Sequence, residues 1–454
     1  MPEPYALTLT EAARSVRERR LTPVELVDAA LARIERLDGA IKAWATVDRE
    51  GARAAAVELE REAREGRFRG PLHGVPVGIK DIFYTAGLAT EAGSKALAGF
   101  VPDYDAEAVA RLKRAGAIVM GKLATTEFAL LDPAVTCNPW NLEHTPGGSS
   151  SGSAAAVAAR MCQAAIGSQT IGSTIRPSAY CGIIGMKPSY GRISRYGMLP
   201  LAPSLDHIGI FARSVADAAA MLGAMAGEDS RDRASLAVAS DNYVHAAAQP
   251  APEPFRIALM PKAFDDRAAA ETRDAVGAAV ARLAAAGARI ETVEEPASFA
   301  YIAASTIVEL CAEAAEVHRE RFAEKKHLYG PKISEYVQRG LDTPAWEYIR
   351  SLELQQRFRR EVDRLLARFD AILTPATPAP APAGIDSTGD PSFNLPWSLS
   401  GHPVIALPCG LAPAGLPISI QLTGAALEEG RLLGLARWCE EVLAFDAIPP
   451  VAPL

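Results

Sequence analysis

Seven short apolar runs alternate with helical stretches along most of this chain, and that alternation constrains the fold more than any other feature. The runs cover 75–79, 118–120, 256–260, 290–293, 371–374, 404–407 and 418–422, most of them bounded by Gly or Pro. Between them, 105–115, 153–162, 215–226, 268–286 and 430–442 carry apolar residues at helical spacing. Strands that recur after helices of this length predict an α/β fold, with a central mixed β-sheet covered by helices on both faces.

The first part, about 5–65, reads as helices. Thr8 or Thr10 caps a stretch over 11–20, and Thr22-Pro23-Val24-Glu25 pairs a capping hydroxyl with a carboxylate three residues on. The alanine-rich stretch 50–67 continues in the same style. The segment 305–368 is helical, rich in charge and aromatics, and is expected to cap a cleft. Residues 227–254 read as a surface excursion, because strands recur on both sides, and 375–382 as an extended Pro/Ala loop. The whole of 1–454 is expected to form one domain, with its core over about 66–215.

A net charge of −7 offers no basic field to nucleic acid or to an anionic membrane. The longest apolar run, near 218–226, is too short to span a bilayer. Met1-Pro2-Glu3-Pro4 shows no pattern of a secretory signal. The six cysteines have no CxxC spacing, so reduced thiols and a cytoplasmic location are expected. The seven histidines include no HExxH and no pair at helical ligand spacing, so no metal site is expected.

Two glycine-rich hydroxyl clusters carry the chemistry. One is Gly147-Gly148-Ser149-Ser150-Ser151-Gly152-Ser153; the other, Gly167-Ser168-Gln169-Thr170-Ile171-Gly172-Ser173, places Ser173 24 residues after Ser149. A serine needs a base to become a good nucleophile. A tight loop with glycine can aim several N–H groups at an oxyanion. No histidine lies nearby, and Lys80, at the end of an apolar run, is the candidate base, since burial lowers a lysine pKa. The alternative for Lys80 is a surface ion pair with Asp81. Gly148-x-Ser150-x-Gly152 also matches a nucleophile elbow that His402 could serve, but irregular sequence precedes it where a strand is required.

Together these segments resemble the amidase signature family of serine hydrolases. Further matches follow in order: Cys181 to Ser194, with Gly185-Met186-Lys187-Pro188-Ser189; Ser204-Leu205-Asp206-His207-Ile208-Gly209; and Gly401 to Leu422. The resemblance implies Ser173 as nucleophile, Ser149 as a bridging serine in a cis peptide, and neutral Lys80 as base. It implies an oxyanion hole from the N–H groups of Thr170, Ile171, Gly172 and Ser173, with an acyl-enzyme intermediate and no cofactor. Ser150 is expected beside the substrate, as a hydroxyl that orients the relay. Three residues depart from the family pattern: Gln169 stands for Asp, and Ile171 and Ser151 for Gly.

Arg176, three residues after Ser173, is similar in position to an arginine that holds a substrate carboxylate in malonamidase-like members. It implies a small carboxylate-bearing amide, such as a dicarboxylic acid monoamide; the alternative is an internal pair with Asp206. Competing readings are the glutaminase component of a tRNA-dependent amidotransferase, a carboxybiuret- or allophanate-type hydrolase, and a non-catalytic binding protein. Gln169 and Ala124-Thr125-Thr126-Glu127-Phe128 depart from the amidotransferase pattern. The expected partner is a small-molecule amide, with no nucleic acid or membrane and with a homodimer through the helical regions as an open possibility.

Overall fold

The computed structural model describes residues 3–249 and 254–451. Met1 and Pro2 of the N-terminal stretch, and 250–253 of the surface excursion, lie outside the described residues. Eleven strands form one mixed sheet: β1 (Trp44–Val47), β2 (Pro76–Lys80), β3 (Ile118–Leu123), β4 (Ala164–Gln169), β5 (Ile184–Lys187), β6 (His207–Ala212), β7 (Arg256–Leu259), β8 (Arg289–Thr292), β9 (Ala371–Pro375), β10 (Val404–Leu411) and β11 (Pro417–Thr423). Their order is β1-β3-β2-β4-β6-β5-β10-β11-β9-β7-β8. The β2/β3 and β2/β4 pairs are parallel, whereas β4/β6, β6/β5 and β5/β10 are antiparallel.

All seven expected runs are strands. The other four, β1, β4, β5 and β6, are corrections to the reading, and three of them form the middle of the sheet. Small residues dilute the signal in β4, glycines interrupt β5 and β6, and β1 is only four residues long. Gly167 of β4 pairs with Gly209 of β6. A Cβ on Gly209 would stand 1.9 Å from Thr174 Oγ1, and one on Gly167 would stand 2.6 Å from Ser150 Oγ. The glycines lower the local strand signal so that two loops can settle onto the sheet.

The N-terminal helices are Leu9–Arg17, Pro23–Ile41 and Arg49–Arg64, with β1 interrupting the all-helical reading. Thr8 and Glu11, and likewise Thr22 and Glu25, form reciprocal capping boxes. The expected helix 153–162 spans Ser151–Ala158, because Arg160 turns the chain with a φ of 58°. The segment 305–368 resolves into Phe299–Lys325, Pro331–Leu341 and Ala345–Leu366. The Asp132 carboxylate accepts from the N–H groups of Lys332 and Ile333, and so fastens the start of the second of these to the loop beside the site. The excursion after Gly227 contains a short helix, Tyr243–Ala248, with Tyr243 buried.

Candidate active site

Lys80 ends β2 and is completely buried. Its Nζ donates to Ser149 Oγ at 2.7 Å and to Ser168 Oγ at 2.8 Å. Burial holds its ammonium well below the ordinary lysine range, with Asp206 acting weakly in the opposite direction. The surface pair with Asp81 is not formed. Asp81 instead faces Lys122, 3.3 Å away and equally buried, on the neighbouring β3.

Ser149 follows a cis peptide bond from Gly148 and is fully buried. Ser150 belongs to the support of this constellation and not to the wall of the cavity. Its Oγ donates to Ser168 O at 3.2 Å and accepts from Ser168 N at 3.3 Å, which clamps the serine that holds Lys80. This corrects the expectation that Ser150 stands beside the substrate. Ser168 is the residue that sequence reasoning missed; in a six-residue strand of small side chains nothing marks it apart from Ser150.

Ser173 lies after β4, at the entry to helix Ile175–Cys181, and lines a cavity of about 310 Å³ with Thr170, Ile171 and Gly172. Among the described residues its hydroxyl makes no hydrogen bond, and the N–H groups of Ile171, Gly172 and Ser173 donate to no protein acceptor. Gln169 explains how the loop holds this shape. Its Oε1 accepts from the N–H groups of Thr174 and Ile175, both at 2.9 Å. Its Nε2 donates to Ser398 Oγ at 2.9 Å, and Ser398 in turn donates to Ile171 O at 2.6 Å. A neutral amide therefore does the structural work open to a carboxylate at this position, and adds a donor.

Arg176 is 2% exposed and does not pair with Asp206. It donates to Gly389 O at 2.8 Å, to Gly148 O at 2.7 Å and to Thr388 Oγ1 at 3.0 Å, while its Nε is buried without a partner. Burial lowers its guanidinium to about 10, against the pull of Tyr180 and Asp390. Asp206 accepts from the Thr170 hydroxyl at 2.6 Å and from the N–H groups of Leu201 and Ala202, so it braces the loop that carries Ser173 instead. The elbow reading also fails on geometry. His402 Nε2 faces Asp363 Oδ1 at 2.9 Å, and its carbonyl accepts from Lys187.

The rest of the cavity wall comes from distant parts of the chain. Ile307, Leu310, Lys332 and Tyr336 descend from the helical cap, and Leu130 and Leu201 from loops. No Asp or Glu lines it among the described residues. Among those residues also, no cluster of His, Cys, Asp or Glu could hold a metal ion. Among the described residues, no helix is long and apolar enough to cross a membrane.

A mixed sheet that presents a buried lysine, a serine after a cis peptide and a serine in a glycine loop defines an amidase signature fold. The chain belongs to the amidase family, whose model, described as "Amidase", matches residues 25–433. It is thus a hydrolase of carbon–nitrogen bonds in linear amides. It is 36% identical to the glutamyl-tRNA(Gln) amidotransferase A chain of Anaeromyxobacter dehalogenans (strain 2CP-C), across 98% of each protein. A 34% likeness to the same amidotransferase component of Lachnospira eligens covers 94% of this chain and 96% of that one. Among solved structures, native peptide amidase from Stenotrophomonas maltophilia superposes with a TM-score of 0.86 at 32% identity, covering all of both chains. A structure described as a vestigial protein complex that reveals the origins of an s-triazine catabolic enzyme gives 0.90 at 30%, over 98% of this chain and 100% of that one.

Proposed function

We propose that this chain hydrolyses a small amide that carries a carboxylate, through an acyl-enzyme on Ser173. Neutral Lys80 takes a proton from Ser149 as Ser149 takes one from Ser173. The Ser173 oxygen attacks the amide carbonyl, and the N–H groups of Ile171, Gly172 and Ser173, with Thr170 beside them, receive the oxyanion. Collapse breaks the C–N bond as the proton returns to the departing nitrogen. Water then cleaves the ester, with the same relay as base, and releases a carboxylic acid.

The observation that carries the substrate class is the charge balance of the cavity. Its wall holds Arg176 and Lys332 and no acid. Arg176 keeps a buried Nε–H without an acceptor, although three protein oxygens engage its other nitrogens. A substrate carboxylate would satisfy such a donor with a charge-assisted hydrogen bond. The apolar Leu130, Leu201, Ile307 and Leu310 would cover a short carbon chain.

The full-length likeness to the amidotransferase component favours a second reading, a glutaminase that passes ammonia to a partner. Glutamine also bears a carboxylate, but its α-ammonium would find no acid on this wall, which supports the monoamide instead. Ammonia release from malonamate, succinamate, acetamide, benzamide and glutamine decides among these. Ser173→Ala is expected to abolish every activity, and Lys80→Ala to lower each about 10²–10⁴-fold. Arg176→Ala is expected to lower kcat/KM for the carboxylate-bearing amides by roughly 10–100-fold, and for acetamide far less. An equal loss on all substrates would reduce Arg176 to a brace for Gly148 O, and preference for glutamine would establish the second reading.

A further inference from the structure

We propose that a second cavity, remote from Ser173, binds a small oxyanion through Arg160 and Arg213. The cavity measures about 130 Å³ and lies at the C-terminal ends of helices Ser151–Ala158 and Ile175–Cys181, where Ala158 and Cys181 form part of its wall. The opposite ends of the same helices bear Ser149 and Ser173. The chain's C-terminal stretch, with Phe445 and Asp446, closes the other side.

Its polar lining is unusual. Arg160 Nε, Arg160 Nη1 and Arg213 Nε are all buried and have no hydrogen-bond partner among the described residues. The other nitrogens of Arg213 are engaged by the N-terminal segment, at Tyr5 O, Ala6 O and Leu7 O. Arg33 adds a third guanidinium to the group, with its Nε on Ala159 O at 3.0 Å. Burial, and then the repulsion of Arg213, lowers the Arg160 guanidinium to about 10.

Buried charges in native proteins are normally paired, because desolvation costs several kcal/mol per ion. A buried donor without a partner points to water or an ion. Here Arg160 and Arg213, both partly buried, line one cavity and leave three nitrogens unpartnered, and Arg160 has no carboxylate within ion-pair distance among the described residues. The acids on the wall restrict the ligand without filling its place. Glu440 is already committed to Val215 N–H and Arg437, and Asp446 is exposed. Asp217 and Glu11 attract Arg213 only at longer range. These conditions suit a compact carboxylate or phosphate group. Amide hydrolysis itself yields a carboxylate, so the two sources of oxyanion must be separated by experiment.

The test follows thermal unfolding of the full chain, and of Arg160→Gln, in phosphate, acetate and chloride at matched ionic strength. Wild type is expected to show a saturable rise in Tm with phosphate or acetate and none with chloride. A response to phosphate alone assigns a phosphoryl ligand, and a response to acetate a carboxylate. The rise is expected to vanish in Arg160→Gln, whose turnover without added anion stays unchanged. If that variant does not fold, Arg160→Lys keeps the charge but loses donors, and should weaken binding roughly tenfold. No rise in wild type, or an undiminished rise in both variants, overturns the proposal.

Discussion

Lys80→Met separates what burying an amine does for chemistry from what it costs the fold. Lys80 is fully buried, and among the described residues its Nζ hydrogen-bonds only to the hydroxyls of Ser149 and Ser168. Burial therefore depresses its pKa well below 10.5. With the folded pKa lower than the unfolded one, the unfolded chain takes up the proton first as the pH falls. The associated stability is full above 10.5 and is lost progressively as the pH falls to the folded pKa. The slope reaches about 1.4 kcal/mol per pH unit between the two values. Lys122 and Lys187, lowered by burial to about 8 and about 7, contribute slopes of the same sign. They are present in both proteins, so the difference between the wild-type and Lys80→Met curves isolates Lys80. Urea unfolding from about pH 10 to neutrality should show that difference moving against wild type by up to about 1.4 kcal/mol per unit. Turnover in the variant should fall about 10²–10⁴-fold, the usual contribution of a positioned base. Parallel stability curves would refute the depressed pKa, and retained turnover would refute the base.

Two further outcomes follow from the loop that carries Ser173. Gln169→Leu removes the acceptor of the Thr174 and Ile175 N–H groups. At about 1–3 kcal/mol for each buried donor left unsatisfied, urea unfolding should show a loss of roughly 2–6 kcal/mol, part of it recovered in Gln169→Glu. Gly172→Ala would bring a Cβ within 2.7 Å of Asn394 Oδ1 and 3.3 Å of Pro391 Cβ. Asn394 is tied to Ala376 O and Gln421, so the loop must shift instead. We expect a loss of about 1–3 kcal/mol in unfolding experiments, together with a fall in kcat; wild-type kcat would show that the position of the loop N–H groups is not critical.

Legibility followed the range of the interactions. The helix starts at Thr8 and Thr22 were readable because a capping box lies within four residues. Most of the strands read from the sequence were readable because β-branched and other apolar residues crowd into them, whereas the edge strand β1 was not. Strands β4 and β6 were not, since Gly167 and Gly209 give up side chains to admit Ser150 and Thr174 from elsewhere in the chain. Lys80 could be singled out as the end of an apolar run, but Ser168, 88 residues on, could not be matched to it.

The residue order by itself determined the α/β class, the family and the two serine loops, because each is written in short-range spacing and in glycine placement. Partner choice came only with the tertiary structure. Sheet order puts Ser168 against Lys80 and gives Asp81 to Lys122. The loop at Thr388–Gly389 takes Arg176, while Asp206 turns to Thr170. Cap helices more than 130 residues beyond Ser173 supply Ile307, Leu310 and Lys332 to the cavity. A buried polar group must find its partner in whatever packing brings within about 3 Å, and that proximity is a property of the folded chain and not of sequence distance.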